Sequence, residues 1–192
     1  MKSYIRIPSL GICIADIGGV GSHSLQKAIF NKYYTPADRP KIVGANITNA
    51  FNDGTSSVLS KRDKTVWPTI ILSRDPVERF KAGCQHFKIH KPADIDKLLE
   101  DIEKQKLNTN YWFTSVVSYI DSSVDSLLFK YPQHLDSVIK TLKLTTDFTR
   151  DNNGFSFLNI DLSRDQISKI LQLYSEDYAL YKSISKPGQL AI

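Results

Sequence analysis

Cysteine, methionine and tryptophan are scarce in this chain: its 192 residues include two cysteines, one methionine and two tryptophans. The cysteines, Cys13 and Cys84, both lie in apolar stretches and offer no disulfide framework. No run of residues approaches the ~18 uncharged apolar positions that a membrane-spanning helix needs. Since the first apolar run, 11–16, also leaves little chain before it, we expect a cytoplasmic protein with no membrane partner.

The sequence also lacks repeats, low-complexity tracts and an internal linker, which excludes fibrous and solenoid architectures. Its 41% apolar and 23% charged residues are close to the average of globular proteins, and we predict a single domain over residues 1–192. The 25 Lys and Arg residues exceed the 20 Asp and Glu residues, which gives a net charge of +5 and favours an anionic partner. The basic residues are scattered, which argues against nucleic acid as that partner.

Short apolar segments alternate with helical patterns along the chain. Strands are predicted at 11–16, 41–45, 67–72 and 126–131, and helices at 22–32, 76–86, 92–106 and 133–142. A capping box of Ser163 and Gln166 predicts the start of one further, long helix, which continues to about Tyr181. Residues 56–62 favour a brief helix, and 111–120 fit either a strand or a helix. The alternation predicts an α/β fold: a three-layer sandwich around a central parallel sheet, similar to P-loop nucleotide-binding domains.

A glycine-rich loop, GGVGSHS at 18–24, joins the first of these strands to the first helix. Glycines let backbone N–H groups turn towards a ligand, and the helix N-terminus adds partial positive charge, so the loop suits a phosphate or a sulfate. The simpler alternative is a tight turn whose serines cap the helix. The position directly before Ser24 is His23 and not the lysine of a Walker A loop, so the loop is not an intact Walker A loop. A P-loop nucleotide kinase is therefore the weaker enzyme alternative.

The most specific string in the chain is LSRDPVERF, residues 72–80. Arg74 follows a predicted buried strand, where a guanidinium can bind a phosphate through two parallel hydrogen bonds. Asp75 is the expected N-cap of the next helix, with Glu78 as its reciprocal capping partner. Arg79 is expected on the helix surface. The alternative is that both arginines pair with acidic neighbours, as surface charges usually do.

Together, the two segments resemble the PAPS-dependent sulfotransferases, especially their compact carbohydrate-type branch. In that family a loop Pro-Lys-Val-Gly/Ala-Ser-Thr-Ser follows the first strand, and a later segment has the form Arg-Asp-Pro-Val-Glu-Arg-Phe-x-Ser. The corresponding residues here are GGVGSHSL at 18–25 and RDPVERFKA at 74–82. A strand and helix at 127–144 and the closing Tyr-x-x-Asp-Tyr segment, 174–178, are also similar, so the resemblance spans nearly the whole chain.

The resemblance implies a nucleotide co-substrate, 3′-phosphoadenosine 5′-phosphosulfate (PAPS), and no metal. It implies transfer of the sulfuryl group of PAPS to a hydroxyl of a carbohydrate or small-molecule acceptor. The loop would hold the 5′-phosphosulfate and Arg74 the 3′-phosphate. The implied nucleotide-binding residues are Gly19, Val20, Gly21, Ser22, His23, Ser24 and Arg74. His23, whose side chain alone in the loop titrates near neutral pH, is the candidate catalytic residue.

Three positions differ from the family pattern. Gly19 stands where the family has the loop lysine, and His23 stands where it has threonine. Ala82 replaces the serine that partners the 3′-phosphate arginine. A second hypothesis is therefore a nucleotide-binding module that has the sulfotransferase fold but impaired catalysis.

Two further groups of side chains could carry chemistry outside these segments. His86 and His90 are four residues apart, but no third ligand follows at a suitable spacing, so no metal site is predicted. Trp112 is expected in the core or, together with Tyr111, on a surface that stacks against a sugar.

Overall fold

The computed structural model describes residues 4–33, 59–60, 67–106, 110, 112–145 and 160–191, and for Ser22, His23, Lys27, Phe30, Leu59 and Ser60 it describes the backbone alone. The strand predicted at 41–45 lies outside these residues. The described strands are β1 Tyr4–Ile7, β2 Ile12–Ala15, β3 Leu59–Ser60, β4 Thr69–Ser73, β5 Ser126–Lys130 and β6 Gln189–Leu190. The helices are α1 Ser22–Tyr33, α2 Pro76–His86, α3 Pro92–Glu103, α4 Leu135–Thr141, α5 Arg164–Leu173 and α6 Ser175–Ser183.

The strands form one mixed sheet in the order β3-β1-β2-β4-β5-β6. Its centre, β2-β4-β5, is parallel, which confirms that part of the prediction. Both edges are antiparallel: β1 pairs antiparallel with β2 and with β3 at one edge, and β6 pairs antiparallel with β5 at the other. The expectation of a parallel sheet is wrong at these edges. Between β1 and β2 the reason is that the turn, Pro8–Gly11, is too short for the crossover that parallel strands need.

The fold is therefore α/β, with a mixed sheet and helices, and its core consists of two hydrophobic clusters. The first surrounds the sheet, where all five residues of β4 are buried. The second lies between the helices and comprises Phe80, Cys84, Ile95, Leu98, Leu99, Phe113, Ile160, Ile170 and Tyr174. Burial of β4 explains why its sequence is a continuous apolar run rather than an alternating one.

Two helix predictions need correction. The long helix predicted to continue to Tyr181 is two helices, α5 and α6, separated at Tyr174. The break gives the two halves different neighbours, because α5 contacts α2 and α3 whereas α6 contacts β4. The prediction of a brief helix at 56–62 is wrong for Leu59–Ser60, because these two residues form β3 and pair with β1.

In the ambiguous segment 111–120, the described residues 112–120 contain turns and a short 3-10 helix, Val117–Tyr119. Among the described helices, none is both long and apolar enough to cross a bilayer.

Candidate functional site

The carboxyl ends of the three central strands lie at one edge of the sheet, because β2, β4 and β5 are parallel. The glycine loop leaves β2 there, and Arg74 leaves β4. At the end of β5, the backbone N–H of Tyr131 donates to the carbonyl of Ser73, at 2.7 Å. This edge is where open α/β sheets bind ligands.

The glycine loop has a backbone that only glycine adopts easily at two of its positions. Gly19 and Gly21 have φ angles of +80° and +72°, in the left-handed region. Space is limited as well: a Cβ on Gly18 would lie 2.7 Å from Trp112 Cδ2, and one on Gly21 would lie 2.7 Å from Tyr131 Cε2. The loop is thus closely enclosed by side chains from distant parts of the chain.

Arg74 lies directly against this loop. Its Nη1 donates to the carbonyl oxygen of Gly19 at 2.9 Å, and its guanidinium lies 5.6 Å from the centre of the Tyr131 ring. Its Nη2 also lies 3.8 Å from Glu78 Oε2, in a half-exposed ion pair. The structure therefore brings together the two segments that the sequence singled out, and Arg74 keeps a quarter of its side chain exposed at their junction.

The start of α2 explains how Arg74 is placed. Asp75 is the N-cap, as predicted, because its Oδ1 accepts hydrogen bonds from the backbone N–H groups of Val77 and Glu78, at 2.9 and 3.2 Å. The predicted reciprocal cap by Glu78 is wrong. Its carboxylate lies instead beside Arg74 and Lys81, where opposite charges attract it.

Arg79 is buried, which corrects its predicted position on the helix surface. Its side chain is 4% exposed, and its Nε donates to Gly18 O at 3.1 Å. Its Nη1 lies 3.6 Å from Asp177 Oδ2 in α6. Burial lowers the pKa of this guanidinium, and the carboxylate of Asp177 acts in the opposite direction. Helical spacing could have indicated this, because Arg79 lies three residues after Pro76 and four before Gly83, both of which are buried.

Tyr131 is a second site residue that sequence reasoning missed. Its ring contacts the position where Gly21 would carry a Cβ and lies beneath the guanidinium of Arg74. The available signal was topological: Tyr131 ends a predicted strand, and the carboxyl ends of parallel strands meet at one edge.

The N-terminus of α1 follows the loop directly. Leu25 N–H donates to Gly21 O at 3.2 Å, so the N–H groups of residues 22–24 have no carbonyl partner within the helix. Such groups bind anions readily. Ser24 is half-buried, whereas the side chains of Ser22 and His23 lie outside the described part, so the catalytic assignment of His23 stays a prediction.

Aromatic side chains cover the other flank of the loop. The His86 ring stacks on Trp112, with centroids 4.3 Å apart, and Phe87 beside it is 43% exposed. His90 lies elsewhere, with Nδ1 3.0 Å from the Lys88 carbonyl. Across the described ranges, no three His, Cys, Asp or Glu side chains are grouped to hold a metal ion. Tyr111 lies outside these ranges.

Comparisons of the chain with protein-family models, with curated proteins and with solved structures find no match in any of the three.

Proposed function

We propose that the protein binds an adenosine 3′,5′-bisphosphate at the carboxyl edge of β2, β4 and β5, and that it acts as a sulfotransferase-like protein with a P-loop-like fold. In this proposal the loop amides hold the 5′-phosphosulfate of PAPS and Arg74 holds the 3′-phosphate. The observation that carries it is the 2.9 Å hydrogen bond from Arg74 to Gly19 O, which joins a guanidinium to the glycine loop.

The chemistry of the two segments is complementary to this nucleotide. The first turn of α1, which follows the half-buried Gly21, offers backbone N–H groups, which suit the oxygens of a phosphosulfate. Arg74 uses one N–H on Gly19 O, and its remaining donors suit the second phosphate at the partly exposed end of the side chain. The half-buried ring of Tyr131 adds an apolar surface between them.

Sulfuryl transfer on this site would be an in-line displacement. The acceptor hydroxyl oxygen attacks the sulfur atom, and the bond from sulfur to the bridging phosphate oxygen breaks. A base takes the hydroxyl proton, and 3′-phosphoadenosine 5′-phosphate leaves with the electron pair. The loop amides would stabilise the charge on the leaving phosphate, and His23 is the proposed base. The acceptor would be a carbohydrate or another small hydroxyl compound, and no metal takes part.

Calorimetry with 3′-phosphoadenosine 5′-phosphate and with AMP tests the nucleotide proposal. We expect the bisphosphate to bind more tightly, and Arg74→Ala to weaken its binding by about 1.5–3 kcal/mol, or about 10–150-fold, because a charge-assisted hydrogen bond is lost. Arg164→Ala, on an exposed residue at the start of α5, is the matched control and should leave binding unchanged. Equal or absent binding of the two nucleotides would contradict the proposal, and a preference for ATP with magnesium would favour the kinase.

A nucleotide-binding module without turnover is the second candidate, and the surroundings of Gly19 favour it. A Cβ at this position would lie 3.2 Å from Arg79 Cγ and 3.6 Å from the Cβ of Ala82. Because φ is also positive there, a lysine like that of the sulfotransferases would be strained. The sequence has neither that lysine, which aligns with Gly19, nor the family serine, which aligns with Ala82.

An assay with radiolabelled PAPS and pooled sugar, phenol and lipid acceptors separates the two candidates. Transfer that disappears in His23→Ala supports the enzyme. Tight nucleotide binding without transfer supports the module.

We also propose the cytoplasm as the compartment. Cys13 and Cys84 are free and buried, and burial raises the pKa of Cys13 to about 11 and that of Cys84 to about 12. Burial thus disfavours the thiolate, the reactive form of both side chains, and free thiols suit a reducing environment. A Cys13–Cys84 disulfide in freshly purified protein would argue against this compartment.

A further inference from the structure

Two lysines, one at the end of β5 and one in α6, lie over tyrosine rings. Lys130 Nζ is 5.0 Å from the centre of the Tyr181 ring, and Lys182 Nζ is 5.3 Å from the centre of the Tyr178 ring. Gln133, in the turn after β5, joins the first pair, because its Nε2 donates to the Tyr181 hydroxyl at 3.5 Å. We call these five residues, which come from segments 48 residues apart, the lysine–tyrosine surface.

This surface is accessible, and its positive charge is not neutralised by nearby carboxylates. Lys182 and Gln133 are exposed, and the other three residues are half-buried. Within the ranges that the structure describes, no carboxylate pairs with Lys130 or Lys182. Four other lysines of those ranges do form ion pairs with Asp or Glu, namely Lys81, Lys104, Lys106 and Lys169.

Helix geometry explains why the acidic residues of α6 do not reach this surface. A helix turns by about 100° per residue, so Tyr178, Tyr181 and Lys182 lie within an arc of roughly 100°. Glu176, two residues before Tyr178, lies about 160° away from it around the axis. Asp177 is buried in the ion pair described above. One side of α6 therefore carries tyrosine and lysine without an acidic neighbour.

A tyrosine ring attracts an ammonium group but leaves its hydrogen-bonding capacity unused. The attraction comes from the ring quadrupole, whereas the three N–H donors of a lysine still need acceptors. The ring also restrains the flexible lysine stem, so less conformational entropy is lost when a ligand binds. Lys130 and Lys182 are thus two restrained cations, and their chemistry suits anionic groups of a ligand.

The neighbouring groups indicate which kind of anionic ligand fits. Nucleobases stack on open aromatic faces, but here a lysine lies over each of the two half-buried rings. The Gln133 amide and the tyrosine hydroxyls accept hydrogen bonds as well as donate them. Ionised acidic side chains of a peptide offer no donor to these acceptors, whereas sugar hydroxyls do. A sugar that carries carboxylates can satisfy both the cations and the polar groups.

We propose that the lysine–tyrosine surface binds an acidic sugar chain, with carboxylates at Lys130 and Lys182 and hydroxyls at Gln133 and Tyr181. The surface begins where β5 ends, and the next residue, Tyr131, belongs to the candidate site. The inference goes beyond the proposed function, because it requires neither the nucleotide nor sulfuryl transfer.

Calorimetry with tetragalacturonate at low salt, without nucleotide, tests the inference. We expect Lys130→Ala to weaken binding on the order of tenfold, because a charge-assisted hydrogen bond is lost. Lys182→Ala should weaken it by about two- to fivefold, since this lysine is more exposed. Tyr181→Phe keeps the ring beneath Lys130 and removes only the hydroxyl, and it should weaken binding by about two- to tenfold.

Lys32→Ala is the matched control. Lys32 is also exposed, and its Nζ lies 5.7 Å from the centre of the Tyr33 ring. This pair lies at the end of α1, about 18 Å along the helix from the carboxyl edge of the sheet. The variant removes the same charge, and we expect unchanged affinity for tetragalacturonate. If it weakens binding as much as Lys182→Ala does, the sugar only senses the net charge and the inference is overturned.

Three other ligands test the chemical class: uncharged maltotetraose, a hexaglutamate peptide and a thymidine hexanucleotide. We expect each of them to bind more weakly than tetragalacturonate. Tighter binding of the peptide or the oligonucleotide, equal binding of maltotetraose, or no binding of tetragalacturonate would overturn the inference. Failure of the nucleotide calorimetry described above would leave it standing, because binding of the acidic sugar is measured without nucleotide.

Discussion

Gly21 has a left-handed backbone conformation and no space for a Cβ atom, and only glycine tolerates both. Its φ is +72°, and a Cβ would lie 2.7 Å from the ring of Tyr131. Gly11 offers a matched comparison, because its φ is +62° but the space around it is open to 4 Å. The two glycines therefore separate the effect of backbone strain from the effect of crowding.

We expect Gly11→Ala to lower the free energy of unfolding by about 1–2 kcal/mol, the cost of a left-handed alanine. Gly21→Ala should lower it by roughly a further 1–3 kcal/mol, because the methyl group displaces Tyr131. Urea unfolding of the two variants beside the wild type measures the difference. Equal losses would show that Tyr131 does not confine the loop.

Single residues also mark where sequence reasoning succeeded and where it failed. Arg74 and the glycines were identified because turns and strand ends have recognisable residue types. Arg79 and Asp177 were not placed in the site because a charged residue is usually exposed, and their mutual burial depends on two helices that are distant in sequence. Tyr131 resembled a strand residue until the parallel pairing of β4 and β5 placed it beside the loop.

Among the helices, α5 has the most complete start. Ser163 Oγ accepts from the Gln166 N–H at 3.2 Å, and Gln166 Oε1 accepts from the Ser163 N–H at 3.0 Å. Gln166 also donates to Asp96 Oδ1 at 2.8 Å, which joins this end of α5 to α3. The capping box was readable from the sequence, whereas its link to α3 was not.

We expect Ser163→Ala to destabilise the protein by about 1 kcal/mol, since one N–H of the first turn loses its acceptor. The control is Ser168→Ala, on an exposed serine within the same helix, which should be neutral or slightly stabilising because alanine favours helix. Thermal unfolding compares the two variants. If they have the same melting temperature, the cap does not contribute to stability.

The start of α2 followed from local signals, Asp75 and Pro76, whereas the helix predicted at 133–142 behind Pro132 begins only at Leu135. The separation of α5 from α6 had no such signal, because the apolar pattern continues past Tyr174. The break is a tertiary effect: the Tyr174 hydroxyl donates to the Phe113 carbonyl at 2.7 Å in the buried interior. The antiparallel edges of the sheet likewise depend on pairings that a local pattern does not encode.

For the whole molecule, we expect His134 to make stability depend on pH. Burial lowers its pKa from the ordinary value, with a smaller contribution from the charge of Lys130. In the fold, the neutral ring is also favoured because Nδ1 accepts the Lys130 N–H at 3.1 Å. Since the pKa is lower in the folded than in the unfolded state, this contribution is present above the unfolded value, about 6.5, and is lost as the pH falls through the folded value.

We expect the urea concentration at the unfolding midpoint of the wild type to decrease as the pH is lowered from 7.5 to 5. We expect this decrease to be smaller in His134→Gln. The chain has four histidines, so the comparison concerns the difference in slope rather than the absolute stability. Parallel slopes for the two proteins would mean that His134 does not contribute to the pH dependence.

The Arg79–Asp177 pair also has a consequence for the order in which the site is built during synthesis. The glycine loop is synthesised before the groups that anchor it: Arg79, which binds the Gly18 carbonyl, lies 61 residues later, and Asp177, which pairs with Arg79, lies in α6. Contacts of such long sequence separation form late in folding. A nascent chain that ends before α6 therefore carries the loop and Arg79 without the carboxylate that pairs with Arg79 in the fold. The glycine loop gains this long-range anchor only once synthesis has passed Asp177.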